Sequence, residues 1–194
     1  YPKNSKLQIE VLDFLEKELL LKPITNKRIL ENKEIDIYLK ELHIGIEING
    51  NFYHSERHGG KSKNYHIEKT QVANRLGIRL IHIFEDEWIN KKPIVKSRLK
   101  TILQKETTRI YARNCIIKEV PMQEKALLVN QCHIQGDAPS KINLGAFYNN
   151  QLVAVMTFGY ERLSLGSRKQ ENVYELIRFV SAIPITGIAS KLLK

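Results

Sequence analysis

Residues 34–56 read EIDIYLKELHIGIEINGNFYHSE, and two segments inside this stretch alternate in polarity. Ile35, Ile37 and Leu39 are expected to point one way, and Glu34, Asp36 and Tyr38 the other. Ile44, Ile46 and Ile48 alternate in the same manner with Gly45, Glu47 and Asn49. A period of two over six residues marks a half-buried strand, and Lys40–His43 supplies a four-residue loop, so the pair predicts an antiparallel hairpin. If Leu39 faces Ile44, the register sets Asp36 directly opposite Glu47. Same-face partners lie roughly 4.5–5.5 Å apart at Cβ. Two carboxylates that close raise one another's pKa unless a cation sits between them. Oxygen-only donors with open positions suit Mg²⁺ or Mn²⁺. A polar face that simply meets water is the bland alternative for any one of these carboxylates; the facing pair favours chemistry.

Upstream, residues 4–21 carry Leu7, Val11, Phe14, Leu15 and Leu19 at helical spacing, with Glu10 bordering the stripe. Asn26-Lys27 and Asn32-Lys33 read as turns before the first strand. Asn51–His54 reads as a short third strand after a bend at Gly50. Downstream, the spacing predicts a helix over 63–76 closed by Gly77, a buried strand over 78–84, an acidic strand-end turn at Glu85–Glu87 packed by Trp88, and a helix over 94–103 after Pro93. His66 and Lys69, three apart on the first of these helices, share a face and are candidates to complete the site. His58, Gly59, Gly60, Lys61 and Lys63 form a basic loop suited to a DNA backbone. The second part starts near Asn114. It offers a helix over 122–131, a hairpin turning at Asn149-Asn150, a polar loop over 159–172, a strand over 174–180 and a helix start at 187–193.

The 194 residues carry 31 Lys+Arg against 21 Asp+Glu, a formal charge of +10 with 42% hydrophobic content. The excess is spread: 20 basic against 14 acidic residues in 1–105, and 11 against 7 in 106–194. Such a chain is expected to fold and to attract polyanions, nucleic acid first. Cys115 and Cys132 are too few for a disulfide framework, have no CxxC spacing, and fit buried positions in a reducing cytosol. No apolar run is long enough for a membrane helix and there is no signal-peptide pattern. The start at Tyr1 and the stop inside a helical pattern read as the ends of an excerpt or processed product.

The stretch 34–56, continued by YHIEKTQVANRLGIRLIHIFEDEW (residues 65–88), resembles the core of the PD-(D/E)xK nuclease superfamily. It is most similar to the branch holding the very-short-patch repair (Vsr-like) endonucleases and the phage EDxHD homing endonucleases, over residues 5–104. The resemblance implies a mixed α/β fold, a mixed sheet with helices on it, and Mg²⁺-dependent hydrolysis of double-stranded DNA to 3′-hydroxyl and 5′-phosphate ends. It implies Asp36 as principal metal ligand and the carbonyl of Ile48 as a second. Glu10 would hold a metal-bound water and His54 would act as general base or acid. Glu47 restores the carboxylate of the wider D…ExK pattern. Asn49 stands where that pattern has lysine, so His54 or Lys69 would have to take over water activation. For Glu10, a helix-surface salt bridge is an equally weighted reading. Phe52 and Tyr53 would contact DNA, inserting between bases if the enzyme nicks mismatches, with packing into the core an equal alternative.

The second part resembles, in its order of elements, a truncated GNAT-type acyltransferase, making it a second α+β domain. Pro184 stands where that family has a basic or amide residue before its Gly-bearing pyrophosphate loop, which argues against acetyl-CoA. DNA binding through Arg162, Arg168 and Lys169, with Arg178 as a further candidate, is the simpler reading. The expected organisation is therefore a nuclease domain over 1–105, a connector over 106–113, with Tyr111 and Ala112 candidates to pack on a domain already, and an accessory domain over 114–194. The expected function is a homing-type endonuclease acting in the cytoplasm of a bacterium or phage host, as two copies where both strands are cut. A repair nicking enzyme, a non-catalytic DNA-binding module and a nucleobase acyltransferase are the alternatives.

Overall fold

The computed structural model describes residues 5–30, 33–50, 65–105, 109–160 and 173–194. The chain divides into two units, Tyr1–Lys105 and Glu106–Lys194. In the first, strands β1 (Ile24–Leu30), β2 (Lys33–Leu39), β3 (Ile44–Asn49) and β4 (Arg79–Phe84) form one sheet in that order. β1, β2 and β3 run antiparallel, and β4 lies parallel to β3. The expected register holds where the ladder exists: Leu39 pairs with Ile44, Tyr38 with Gly45 and Ile37 with Ile46. A 3₁₀ turn over Lys40–Leu42 and His43 at φ 52° close the hairpin.

β1 corrects the reading of Asn26-Lys27 as a turn: both residues lie inside a strand. Its lack of alternation reflects a largely exposed strand that, among the described residues, pairs only with β2, where packing imposes no period. β1 pairs Thr25 with Ile37 and Lys27 with Ile35. Between those pairs Asn26, at φ +50°, sits opposite Asp36 and breaks the pleat. Asn is among the few non-glycine residues that tolerate this region. A second expectation is corrected in β2. Ile35 joins Tyr38, Leu80, Val72 and Ala73 in one cluster, on the side expected to be polar.

Helix α1 (Lys6–Asp13) is capped by Ser5, whose hydroxyl accepts the Gln8 N–H at 3.1 Å. Its last turn, Phe14–Glu18, is π-helical, with Leu19 N–H donating to Phe14 O at 3.2 Å. This wider turn lets Phe14, Leu15 and Leu19 all stay buried, and the helix stops short of the expected residue 21. α2 (Tyr65–Arg75) ends where Gly77, at φ +71°, closes a Schellman turn with Ile78 N–H on Ala73 O. α3 (Glu85–Ile102) corrects the third expectation. Glu85, Asp86 and Glu87 form its first turn, where helix-dipole complementarity favours acids, and the break before Pro93 is only a kink at Lys91. Phe14 and Trp88 pack edge to face, joining α1 to α3.

In the second unit β6 (Ile116–Glu119), β7 (Ile142–Tyr148), β8 (Gln151–Tyr160) and β9 (Tyr174–Ser181) form an antiparallel sheet. Asn149 and Asn150, both left-handed, make the expected tight turn between β7 and β8. Helix α4 (Met122–Cys132) covers one face through Leu128 and Val129 on Val155 and Val180. On the other face lie Ala154, Met156 and the helix α5 (Ile188–Leu192) with its Ile188 and Leu192. Part of the expected connector is integral to this unit. β5 (Ile110–Tyr111) pairs in parallel with β10 (Ile185–Thr186), and Ala112 and Cys115 are core residues. None of the helices among the described residues is long and apolar enough to cross a membrane.

Candidate active site

Strand β2 stays in register with β1 beyond Ile37 but leaves β3 there. In place of the missing ladder bonds, Asp36 Oδ2 accepts the Ile48 N–H at 2.8 Å, and the Asp36 N–H faces Glu47 Oε1 at 3.4 Å. Asp36 and Glu47 therefore meet at the point where the two strands part, through the Asp36 N–H and not as the ladder pair that the register predicts. The N–H and C=O of one strand residue point to the same strand edge. The Ile48 carbonyl thus faces the gap that β2 leaves.

This face does not simply meet water, the bland alternative for these carboxylates: Glu47 is 5% exposed and Asn49 2%. α2 lays Lys69, itself 4% exposed, onto Glu47, with Nζ 2.6 Å from Oε2. Burial raises the Glu47 carboxyl to about 7, the Asp36 charge pushes in the same direction, and Lys69 opposes both. A buried carboxylate in this position needs positive charge, and Lys69 alone does not restore its ordinary acidity.

The Asn49 side chain, in the position where lysine was expected by analogy, is tied to a residue that pattern reading passed over. Asn49 Nδ2 lies 3.2 Å from His82 Nδ1, and His82 Nε2 lies 3.0 Å from Thr70 Oγ1, whose hydroxyl donates to His66 O at 2.8 Å. With Nδ1 accepting, the proton of neutral His82 sits on Nε2 and donates to Thr70. The His66 ring packs edge-on to His82 with centroids 5.4 Å apart. Asn49, His82 and Thr70 thus lock β3, β4 and α2 together one residue from Lys69. The signal for His82 was present: it is the one polar residue in the apolar run Leu80–Phe84, and the parallel pairing sets it beside Glu47.

Glu10 is not brought into this cluster. Its carboxylate accepts from Trp88 Nε1 at 2.9 Å and Lys92 Nζ at 2.7 Å, and the Lys92 bond, then the Trp88 bond, hold it below the ordinary range. Two positions along α1, Gln8 does reach the site: its amide Nε2 donates to the Asp36 carbonyl at 3.1 Å. Sequence reading missed Gln8 because helical periodicity treats a polar residue beside an apolar stripe as surface. Arg178 is occupied within its own unit, with Nε on Gly136 O and a terminal nitrogen on Ile177 O, both at 2.8 Å. Phe52, Tyr53, His54, His58, Lys61, Lys63, Arg162, Arg168 and Lys169, and the strand expected over 51–54, lie outside the described residues.

Among the described residues no three His, Cys, Asp or Glu side chains converge as a ready-made metal cage. Mg²⁺ rarely uses one; it takes one or two carboxylates and keeps several waters. Asp36, Glu47 and the Ile48 carbonyl are all oxygen donors, and a cation there would offset the burial, and the Asp36 charge beside it, that raise Glu47. The residues fit a hard divalent ion.

No protein-family model and no curated protein matches the chain. A solved structure of the catalytic domain of the homing endonuclease I-Bth0305I is 22% identical, with a TM-score of 0.43, over 54% of this chain and 100% of that one.

Proposed function

We propose that the first unit is a DNA endonuclease of PD-(D/E)xK type that uses Mg²⁺ or Mn²⁺ to hydrolyse phosphodiester bonds. The observation that carries this reading is the buried Glu47–Lys69 pair set beside Asp36 where β2 parts from β3. Asp36, through the oxygen not used by Ile48 N–H, Glu47 through Oε1, and the Ile48 carbonyl would hold the ion. Bound there, the ion would supply Lewis-acid stabilisation of the charge that develops on a phosphodiester under attack. Lys69 keeps Glu47 oriented by its 2.6 Å contact and takes the place of the lysine that Asn49 lacks. In this reading its ammonium group would orient an attacking water, with His54 as a companion. Asn49, His82 and Thr70 hold α2 in register so that Lys69 stays aimed at Glu47.

The basic excess of both units suits double-stranded DNA as the polyanion. For the second unit we infer an accessory DNA-binding role through Arg162, Arg168 and Lys169. Its helix–hairpin–strand–helix order is the basis for keeping the GNAT-like comparison. The test is cleavage of supercoiled plasmid in Mg²⁺ and Mn²⁺. Wild-type cleavage should vanish with EDTA, and Asp36→Ala should lower it at least about 100-fold, as loss of a directly stabilising group does. Cleavage by Asp36→Ala at the wild-type rate, or cleavage indifferent to EDTA, overturns the proposal.

A further inference from the structure

In an unbroken β1–β2 ladder, Asn26 and Asp36 would pair between Thr25–Ile37 and Lys27–Ile35. Asn26 instead turns left-handed at φ +50°, which disrupts the strand pairing at Asp36. A buried backbone acceptor without a partner is costly, and native structures supply one. Here the supplier is a side chain from another element. Gln8 Nε2 donates to Asp36 O at 3.1 Å and to Asn26 Oδ1 at 3.2 Å, so one amide serves both sides of the broken pair. Gln8 is 6% exposed, and its own backbone is anchored by the Ser5 cap. Three groups of Asp36 are thereby fixed: its carbonyl by Gln8, its N–H toward Glu47, and Oδ2 by Ile48.

We propose that Gln8 is a positioning residue for Asp36, holding its peptide plane so that the remaining carboxylate oxygen faces a divalent cation. This rests on the metal-dependent reading of the site. Groups that orient a metal ligand without touching the metal commonly change affinity about 10–100-fold when removed. Gln8→Met keeps length and packing and deletes the amide. Binding of Mn²⁺ alone to the full chain is followed by the electron paramagnetic resonance of the free ion. Gln8→Met should bind at least about tenfold more weakly, with kcat reduced and KM for plasmid unchanged. Asn26→Gly keeps the left-handed backbone and leaves the Gln8–Asp36 bond in place, so it should bind Mn²⁺ like wild type.

Wild-type affinity in Gln8→Met, or an equal loss in Asn26→Gly, overturns the role of Gln8 while the metal site stands. Absence of Mn²⁺ binding by wild type overturns the metal site and this role together. If Gln8→Met fails to fold, the wild-type protein decides. The Gln8 side-chain amide ¹⁵N resonance should move during Mg²⁺ titration with the midpoint of binding, and a resonance that stays still refutes the inference.

Discussion

Ionisation of Glu47 makes the stability of the first unit fall with rising pH, and the size of the fall follows from its surroundings. Burial and the Asp36 charge raise this carboxyl from an ordinary 4.5 to about 7. Below pH 4.5 the group is protonated folded and unfolded alike, and it costs nothing. Between 4.5 and 7 the unfolded chain releases a proton that the folded chain keeps, so stability drops by about 1.4 kcal/mol per pH unit. Above 7 the accumulated loss levels off at roughly 3 kcal/mol. Glu47→Gln retains an acceptor for Lys69 but cannot ionise, so it lacks this slope. Urea unfolding read by tryptophan fluorescence isolates the effect, because Trp88 is the single tryptophan and is buried on α3 of the first unit. The stability difference, wild type minus Glu47→Gln, should fall by about 3 kcal/mol from pH 4.5 to pH 8. Parallel pH profiles for the two proteins would refute the claim that Glu47 is a strained buried acid.

Saturating Mg²⁺ should stabilise wild type more at pH 8 than at pH 5, and Glu47→Gln much less at either; equal shifts in melting temperature at both pH values would remove Glu47 from the metal site. Lys69→Met strands an unpaired buried carboxylate and should cost roughly 3 kcal/mol at pH 8. The cost should be far smaller at pH 5, where Glu47 takes up a proton, and an equal cost at both values in urea unfolding refutes the pairing. Glu10→Gln should leave Mn²⁺-dependent plasmid cleavage at the wild-type rate while altering Trp88 emission, since Glu10 serves Trp88 and Lys92; loss of cleavage would restore Glu10 to the site. Gly45→Ala places a Cβ 2.8 Å from Leu80 Cδ1 and 3.1 Å from Ile35. It should destabilise the first unit by about 1–3 kcal/mol in the same unfolding assay.

The hairpin and its register from Leu39–Ile44 to Ile37–Ile46 were legible in residues 34–49, because a period of two and a short loop leave few ways to pair the two segments. Gly77 and Asn149-Asn150 announced their turns for an equally local reason: few residues adopt positive φ without strain. What the pattern could not reveal is that the β2–β3 ladder ends at Ile37–Ile46, or that the β1 pairing skips Asp36, where Asn26 turns left-handed in a strand with no alternation at all. Nor could it distinguish Gln8 from Glu10. Both border the same stripe, and only the packing of α1 decides which one meets Asp36 and which meets Trp88 and Lys92. Lys69 reaches Glu47, and His82 reaches Asn49, through contacts 22 and 33 residues apart in the chain. Periodicity records which side of an element is apolar; the partner of a buried polar group is chosen by the assembled layers, because only there does its desolvation demand one.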